Sequence, residues 1–170
     1  MKYFLIAGER SGDVYGANLI EAMLKKDPSA QIVCYGGDQM KAAGGRLLSN
    51  YKDSTFMGFY EVFSNLLVIK KKLETCKKQL VEFHPDAVIF IDYPGFNLRM
   101  AAFAKRQGLR TVYYISPKIW AWNKRRINDI RSFVDKLLVI FPFEVPFYKS
   151  LNYPVEYVGN PLVEHIESYD

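Results

Sequence analysis

Ala87-Val88-Ile89-Phe90-Ile91-Asp92-Tyr93-Pro94-Gly95-Phe96-Asn97 is the stretch that decides the fold. Its first five residues form a short apolar run rich in β-branched side chains, which reads as a central strand. A turn with Pro94 and Gly95 follows, then a helical pattern from Leu98 to Gln107. In open α/β sheets, ligands bind outside the carboxyl ends of the strands. Asp92 stands at that lip, where a carboxylate on a rigid strand is well placed to act on a substrate.

Working outward, similar strand signals recur at Tyr3–Ala7, Gln31–Tyr35, Thr111–Ile115 and Lys136–Ile140, with a short one at Glu156–Val158. Helical patterns fall between them. The first places Tyr15, Leu19, Ala22 and Met23 on one face and stops at Asp27-Pro28. Strands alternating with helices imply a Rossmann-like open parallel sheet with helices on both faces. A chain of 170 residues, 49% hydrophobic, suits one domain with a sizeable core.

The net charge of +5 sits in patches, Lys70-Lys71-Lys72, Lys77-Lys78 and Lys124-Arg125-Arg126. Such runs are usually solvated faces; anionic headgroups, phosphate esters or nucleic acid are the functional readings. Lys77-Lys78 reads as the wet side of a helix. Cys34 and Cys76 match no metal spacing, and Cys34, in an apolar strand, reads as a buried free thiol. His84 and His165 form no ligand cluster. The N-terminal apolar run is too short for a signal peptide, and no run approaches the roughly 20 apolar residues of a spanning helix. The reduced cytoplasm is the expected compartment.

Five loops offer chemistry. Gly8-Glu9-Arg10-Ser11-Gly12-Asp13 follows the first strand, where a dinucleotide fold places its phosphate loop, but the glycine spacing is wrong for that role. Glu9 and Asp13 would also set carboxylates against a pyrophosphate. Carboxylates with a serine suit sugar hydroxyls, which donate hydrogen bonds; capping of the helix is the other role open to Asp13. Gly36-Gly37-Asp38 permits a tight turn or a close approach to a ligand. Residues 56–69 are apolar nearly all round and abut the lysines at 70–72, which reads either as burial on several sides or as a face against lipid with headgroups at the lysines. Trp120 and Trp122 pack as a plug or offer flat faces to a sugar or acyl chain. Asp92 and Asn97 each act on substrate or cap the next helix.

Six runs together resemble the lipid-A-disaccharide synthase family, inverting glycosyltransferases with two Rossmann-like halves (the GT-B architecture). They are Ala7–Asp13, Met57–Val62, Ile91–Leu98, Tyr113–Trp122, Phe141–Glu144 and Val158–Leu162, in family order and spacing across nearly the whole chain. Two departures stand out: many members carry Asp at the position of Gly95 and His at that of Asn160.

The resemblance implies an N-terminal half. Residues 1–158 would be the acceptor- and membrane-side domain, and 159–170 the start of a connector to an absent UDP-sugar-binding half. The implied reaction joins UDP-2,3-diacylglucosamine to 2,3-diacylglucosamine 1-phosphate, giving lipid A disaccharide 1-phosphate and UDP. Asp92 would be the base. Glu9, Ser11, Gly12, Asp13, Asn97, Ser116 and Trp120 would hold the acceptor, with bracing of Asp92 the other role open to Glu9, Ser11 and Asp13; charge alone puts Arg10 or Lys118 near the acceptor phosphate. Phe59, Phe63, Leu67, Lys70 and Lys71 would face the inner leaflet of the bacterial inner membrane, with the protein peripheral on its cytoplasmic side. No metal, cofactor or nucleic acid is implied, and the half alone is expected to be inactive. The rival readings are another UDP-sugar enzyme of this architecture (an epimerase or a peptidoglycan transferase), a non-catalytic module binding a lipid or partner, and a nucleotide-binding redox domain, against which the carboxylates of the first loop argue.

Overall fold

The computed structural model describes residues 1–54, 62–121 and 123–161, with backbone alone at 54 and 62–66. Among the described residues, six α-helices connect seven parallel strands: β1 Lys2–Ala7, α1 Arg10–Lys26, β2 Gln31–Gly36, α2 Asp38–Ala42, β3 Arg46–Asn50, α3 Val62–Phe83, β4 Ala87–Ile91, α4 Pro94–Arg106, β5 Arg110–Tyr114, α5 Ile127–Phe133, β6 Lys136–Val139, α6 Glu144–Ser150 and β7 Glu156–Tyr157. The order across the sheet is β3-β2-β1-β4-β5-β6-β7. The chain winds outward from β1 to β3, then returns through α3 to place β4 on the other side of β1. The loops after β1 and β4 therefore leave in opposite directions, which opens a crevice at their carboxyl ends.

Alternation along each strand builds two cores. Phe4, Ile6, Val88, Phe90 and Tyr113 meet Leu73, Cys76 and Leu80 of α3 and Phe96, Met100 and Ala104 of α4 on one face. Leu5, Ala7, Cys34, Ile89 and Ile91 meet Tyr15, Ala17 and Ile20 of α1 and Met40 of α2 on the other. Burial on both faces is why β4 reads as one continuous apolar run. Cys34 and Cys76 are buried free thiols, as expected of the first.

Three features depart from the sequence reading. The edge strand β3 gave no strand signal, because Arg-Leu-Leu-Ser-Asn is only half-buried. In α1, Ala22 is exposed, while Asp13, Gly16, Ala17 and Ile20 share the buried side. The glycine pair at 36–37 serves packing before a short helix: a Cβ on Gly36 would lie 2.3 Å from the Met40 Sδ, and one on Gly37 2.4 Å from Asp13 Oδ2.

Candidate active site at the sheet switch point

Asp92 leaves the end of β4 beside the loop that leaves β1, at the crevice the topology creates. The two loops are in close contact: a Cβ on Gly8 would lie 2.2 Å from the Tyr93 ring, so only glycine lets the first loop seat there. Asp92 and Tyr93 both have left-handed backbone, with φ of 43° and 48°. Non-glycine residues pay for that conformation, and such strain clusters at functional sites.

The Asp92 side chain is half-buried. Burial raises its carboxyl above the ordinary range, and the Glu9 carboxylate pushes the same way; Lys118 and the Tyr93 N–H oppose them. Neither Asp92 nor Asn97 caps α4: its N-cap is Tyr93, and no side-chain cap bond is made there. Glu9 and Ser11 are exposed on the β1 side, with Ser11 Oγ donating to Glu9 Oε1 at 3.0 Å. Tyr15, read from the sequence as a core residue only, turns its phenol toward Asp92; burial and then that charge raise its pKa.

Several residues expected to hold the acceptor tie the rim together. Asp13 is 2% exposed, and its carboxylate accepts the backbone N–H groups of Gly37 at 2.8 Å, Met40 at 3.0 Å and Gln39 at 3.2 Å. It caps α2, the neighbouring helix, rather than its own, and its oxygens are taken up there. Gly12 is buried, and a Cβ on it would lie 3.1 Å from the Ala7 Cβ, so it packs α1 onto β1. Asn97 is buried, and its Nδ2 donates to the carbonyls of Asp92 at 2.8 Å, Ile6 at 3.2 Å and Ile91 at 3.3 Å, bridging β1 and β4. Ser116 is buried, and its Oγ donates to Glu144, whose other oxygen accepts Phe141 N–H at 3.1 Å and Ile140 N–H at 3.3 Å. These contacts give Gly12, Asp13, Asn97 and Ser116, all expected among the acceptor-holding residues, a part in supporting the rim. A signal was available for Asp13: it falls on the buried stripe of α1 with Gly16, Ala17 and Ile20, and a charge there needs buried partners. Glu144 and Tyr113 carried no role in the sequence reading.

Trp120 is half-buried and meets the Phe143 ring edge-on with centroids 5.0 Å apart; Phe143 in turn stacks on Phe141 at 5.5 Å. Lys118 and Arg10 are exposed on the β5 and β1 sides of the crevice. A separate cavity of about 690 Å³ opens at the amino-terminal ends of β1, β2 and β3, lined by Lys2, Gln31, Arg46 and Phe83, away from Asp92. Among the described residues, no group of three or more His, Cys, Asp or Glu is placed to hold a metal ion. Of the expected membrane-facing set, Phe59 and the Phe63 side chain lie outside the described residues. Leu67 is 72% exposed, and Lys70 and Lys71 are exposed beside it. No helix among the described residues is long and apolar enough to cross a membrane.

Solved structures share this fold, among them the following two. UDP-GlcNAc 2-epimerase from Neisseria meningitidis matches with a TM-score of 0.66 and 11% identity, over 94% of this chain and 46% of its own. MurG of Acinetobacter baumannii matches with a TM-score of 0.57 and 13% identity, over 95% and 46%. Among curated sequences, lipid-A-disaccharide synthase of Trichlorobacter lovleyi is 43% identical across 98% of this chain, and that of Coxiella burnetii 41% across 93%. The chain spans 43% and 42% of their respective lengths. The family model described as lipid-A-disaccharide synthetase matches residues 3–170, and the chain belongs to that family.

Proposed function

We propose that this chain is the acceptor-side half of an inverting glycosyltransferase of lipid A biosynthesis, with Asp92 as its general base. A C-terminal half, entered through a connector beginning near residue 159, would hold the UDP-sugar. The acceptor is 2,3-diacylglucosamine 1-phosphate, and the donor its UDP-linked counterpart. The carrying observation is the position of Asp92: half-buried at the switch point, with its proton affinity raised by burial and by Glu9.

A sugar hydroxyl is a poor nucleophile until a positioned base accepts its proton. The acceptor oxygen forms a bond to the anomeric carbon of the donor while its proton passes to the Asp92 carboxylate. The bond from that carbon to the phosphate oxygen breaks on the opposite face, and UDP leaves with the electron pair. The β linkage follows from that inversion. Glu9, braced by Ser11, is the remaining acidic group for acceptor hydroxyls, and Lys118, the cation that favours the charged form of Asp92, would meet the acceptor phosphate. The acyl chains call for a bilayer surface. Leu67 with Lys70 and Lys71 fits docking there, the apolar side chain at the lipid and the ammonium groups at anionic headgroups.

The test is radiolabelled transfer by the full-length protein carrying Asp92→Asn. Asparagine tolerates the left-handed backbone, so folding is retained while turnover falls by roughly 100- to 10,000-fold, the usual worth of general-base help. Near-parental turnover in that variant removes Asp92 from the mechanism. Soluble sugar acceptors offered beside the lipid acceptor separate this enzyme from other UDP-sugar enzymes of the same fold.

A further inference from the structure

The peptide between Asp92 and Tyr93 is anchored from inside the fold. Its carbonyl oxygen accepts Tyr113 Oη at 2.6 Å and Asn97 Nδ2 at 2.8 Å. Both donors belong to fully buried residues, Tyr113 on β5 and Asn97 in the first turn of α4. The residues on either side of this peptide are the two left-handed ones, a conformation that persists in non-glycine residues only where the surroundings hold it. In a trans peptide the C=O and N–H point in opposite directions. With the oxygen held inward, the Tyr93 N–H is turned toward the crevice, where it favours the charged form of the Asp92 carboxylate.

We propose that Tyr113 and Asn97 are positioning residues of the transfer reaction, acting through the Asp92–Tyr93 peptide to aim the Asp92 carboxylate into the crevice. The proposal rests on the reading of Asp92 as base. Tyr113 suits the task because burial raises its phenol well above the usual value, so it stays a donor at any working pH. The other groups that face Asp92 are Glu9 after β1, Lys118 after β5 and the Tyr15 phenol of α1; Arg126 and Tyr148 face Tyr113. Asn97 adds reach: the same Nδ2 touches the Ile6 carbonyl near the end of β1 and the Ile91 carbonyl that ends β4, so the peptide is referenced to both walls of the crevice.

The experiment compares Tyr113→Phe, Asn97→Ser and Tyr148→Phe with the parent full-length protein. Tyr148→Phe removes another buried phenol, 3.4 Å from the Pro117 carbonyl, and controls for loss of stability alone. Tyr113→Phe and Asn97→Ser are expected to lower kcat about tenfold with KM within about twofold. They also move the acidic limb of kcat/KM, and the ¹³C titration of the Asp92 carboxyl, upward by about half a unit or more. Tyr148→Phe does neither. If both test variants titrate at the parental pH, or if Tyr148→Phe shifts as far as they do, the positioning role is wrong. Should Asp92→Asn keep its turnover, the base assignment is what fails; the carboxyl titration then still decides whether the clamp orients this side chain.

Discussion

Asp13→Ala separates the structural role of that carboxylate from a ligand role. Three backbone N–H groups converge on Asp13, and those of Gly37 and Met40 are in fully buried hydrogen bonds. A buried donor left without an acceptor costs about 1–3 kcal/mol, and bonds to a charged acceptor are at the upper end. The third donor, Gln39, is on an exposed residue and recovers a partner from water. The expected loss is about 4 kcal/mol, allowing for relief from burying a charge. For a chain of this size each kcal/mol moves Tm by about 2–4 °C, so the variant melts roughly 8–16 °C lower. Because α2 has only five residues and little helical stability of its own, the amides of Gly37, Gln39 and Met40 exchange first. Thermal melts with residue-resolved hydrogen exchange measure both effects. A variant that melts with the parent and protects those amides, yet transfers sugar poorly, would show that Asp13 serves the acceptor after all.

Other outcomes follow from the charges around Asp92. Glu9→Gln removes a repulsive carboxylate and moves the acidic limb of kcat/KM to lower pH, whereas Lys118→Met moves it higher; limbs that stay put would detach these residues from Asp92. Asp92→Asn is expected to raise Tm at neutral pH. Its raised folded-state pKa means that the native state binds more protons than the unfolded chain between the two pKa values, so the parent loses stability as pH rises through that window. The gap between variant and parent therefore widens with pH and levels off above the folded-state value, and a constant gap contradicts the assignment. Lys70→Gln with Lys71→Gln removes about 1 kcal/mol per charge at an anionic surface, so binding to anionic vesicles weakens roughly 30-fold with Tm unchanged.

The sheet was legible because β1, β2, β4, β5 and β6 are buried enough to write themselves as apolar, β-branched runs. The start of α4 at Pro94, four residues before its helical pattern, follows from the fitness of proline for a first turn. β3 escaped because an edge strand needs no apolar run, and α2 because a tertiary contact from Asp13 closes its first turn. At the candidate site, the position of Asp92 at the carboxyl end of the sheet was legible from its place after a strand and before a turn. The supporting roles of Asn97, Ser116 and Asp13 were not. Which loop each side chain reaches depends on strand order, and no spacing along the chain reports that β1 lies beside β4 or that the loop after β5 meets Glu144.

The left-handed backbone at Asp92 also shapes how this gene can decay. Asparagine and glycine both sit in that conformation at least as comfortably as aspartate, and neither carries a charge that burial opposes. A duplicated copy released from selection for activity would meet its two most damaging replacements to chemistry as gains in robustness. Sturdy, silent descendants should accumulate change at this codon first.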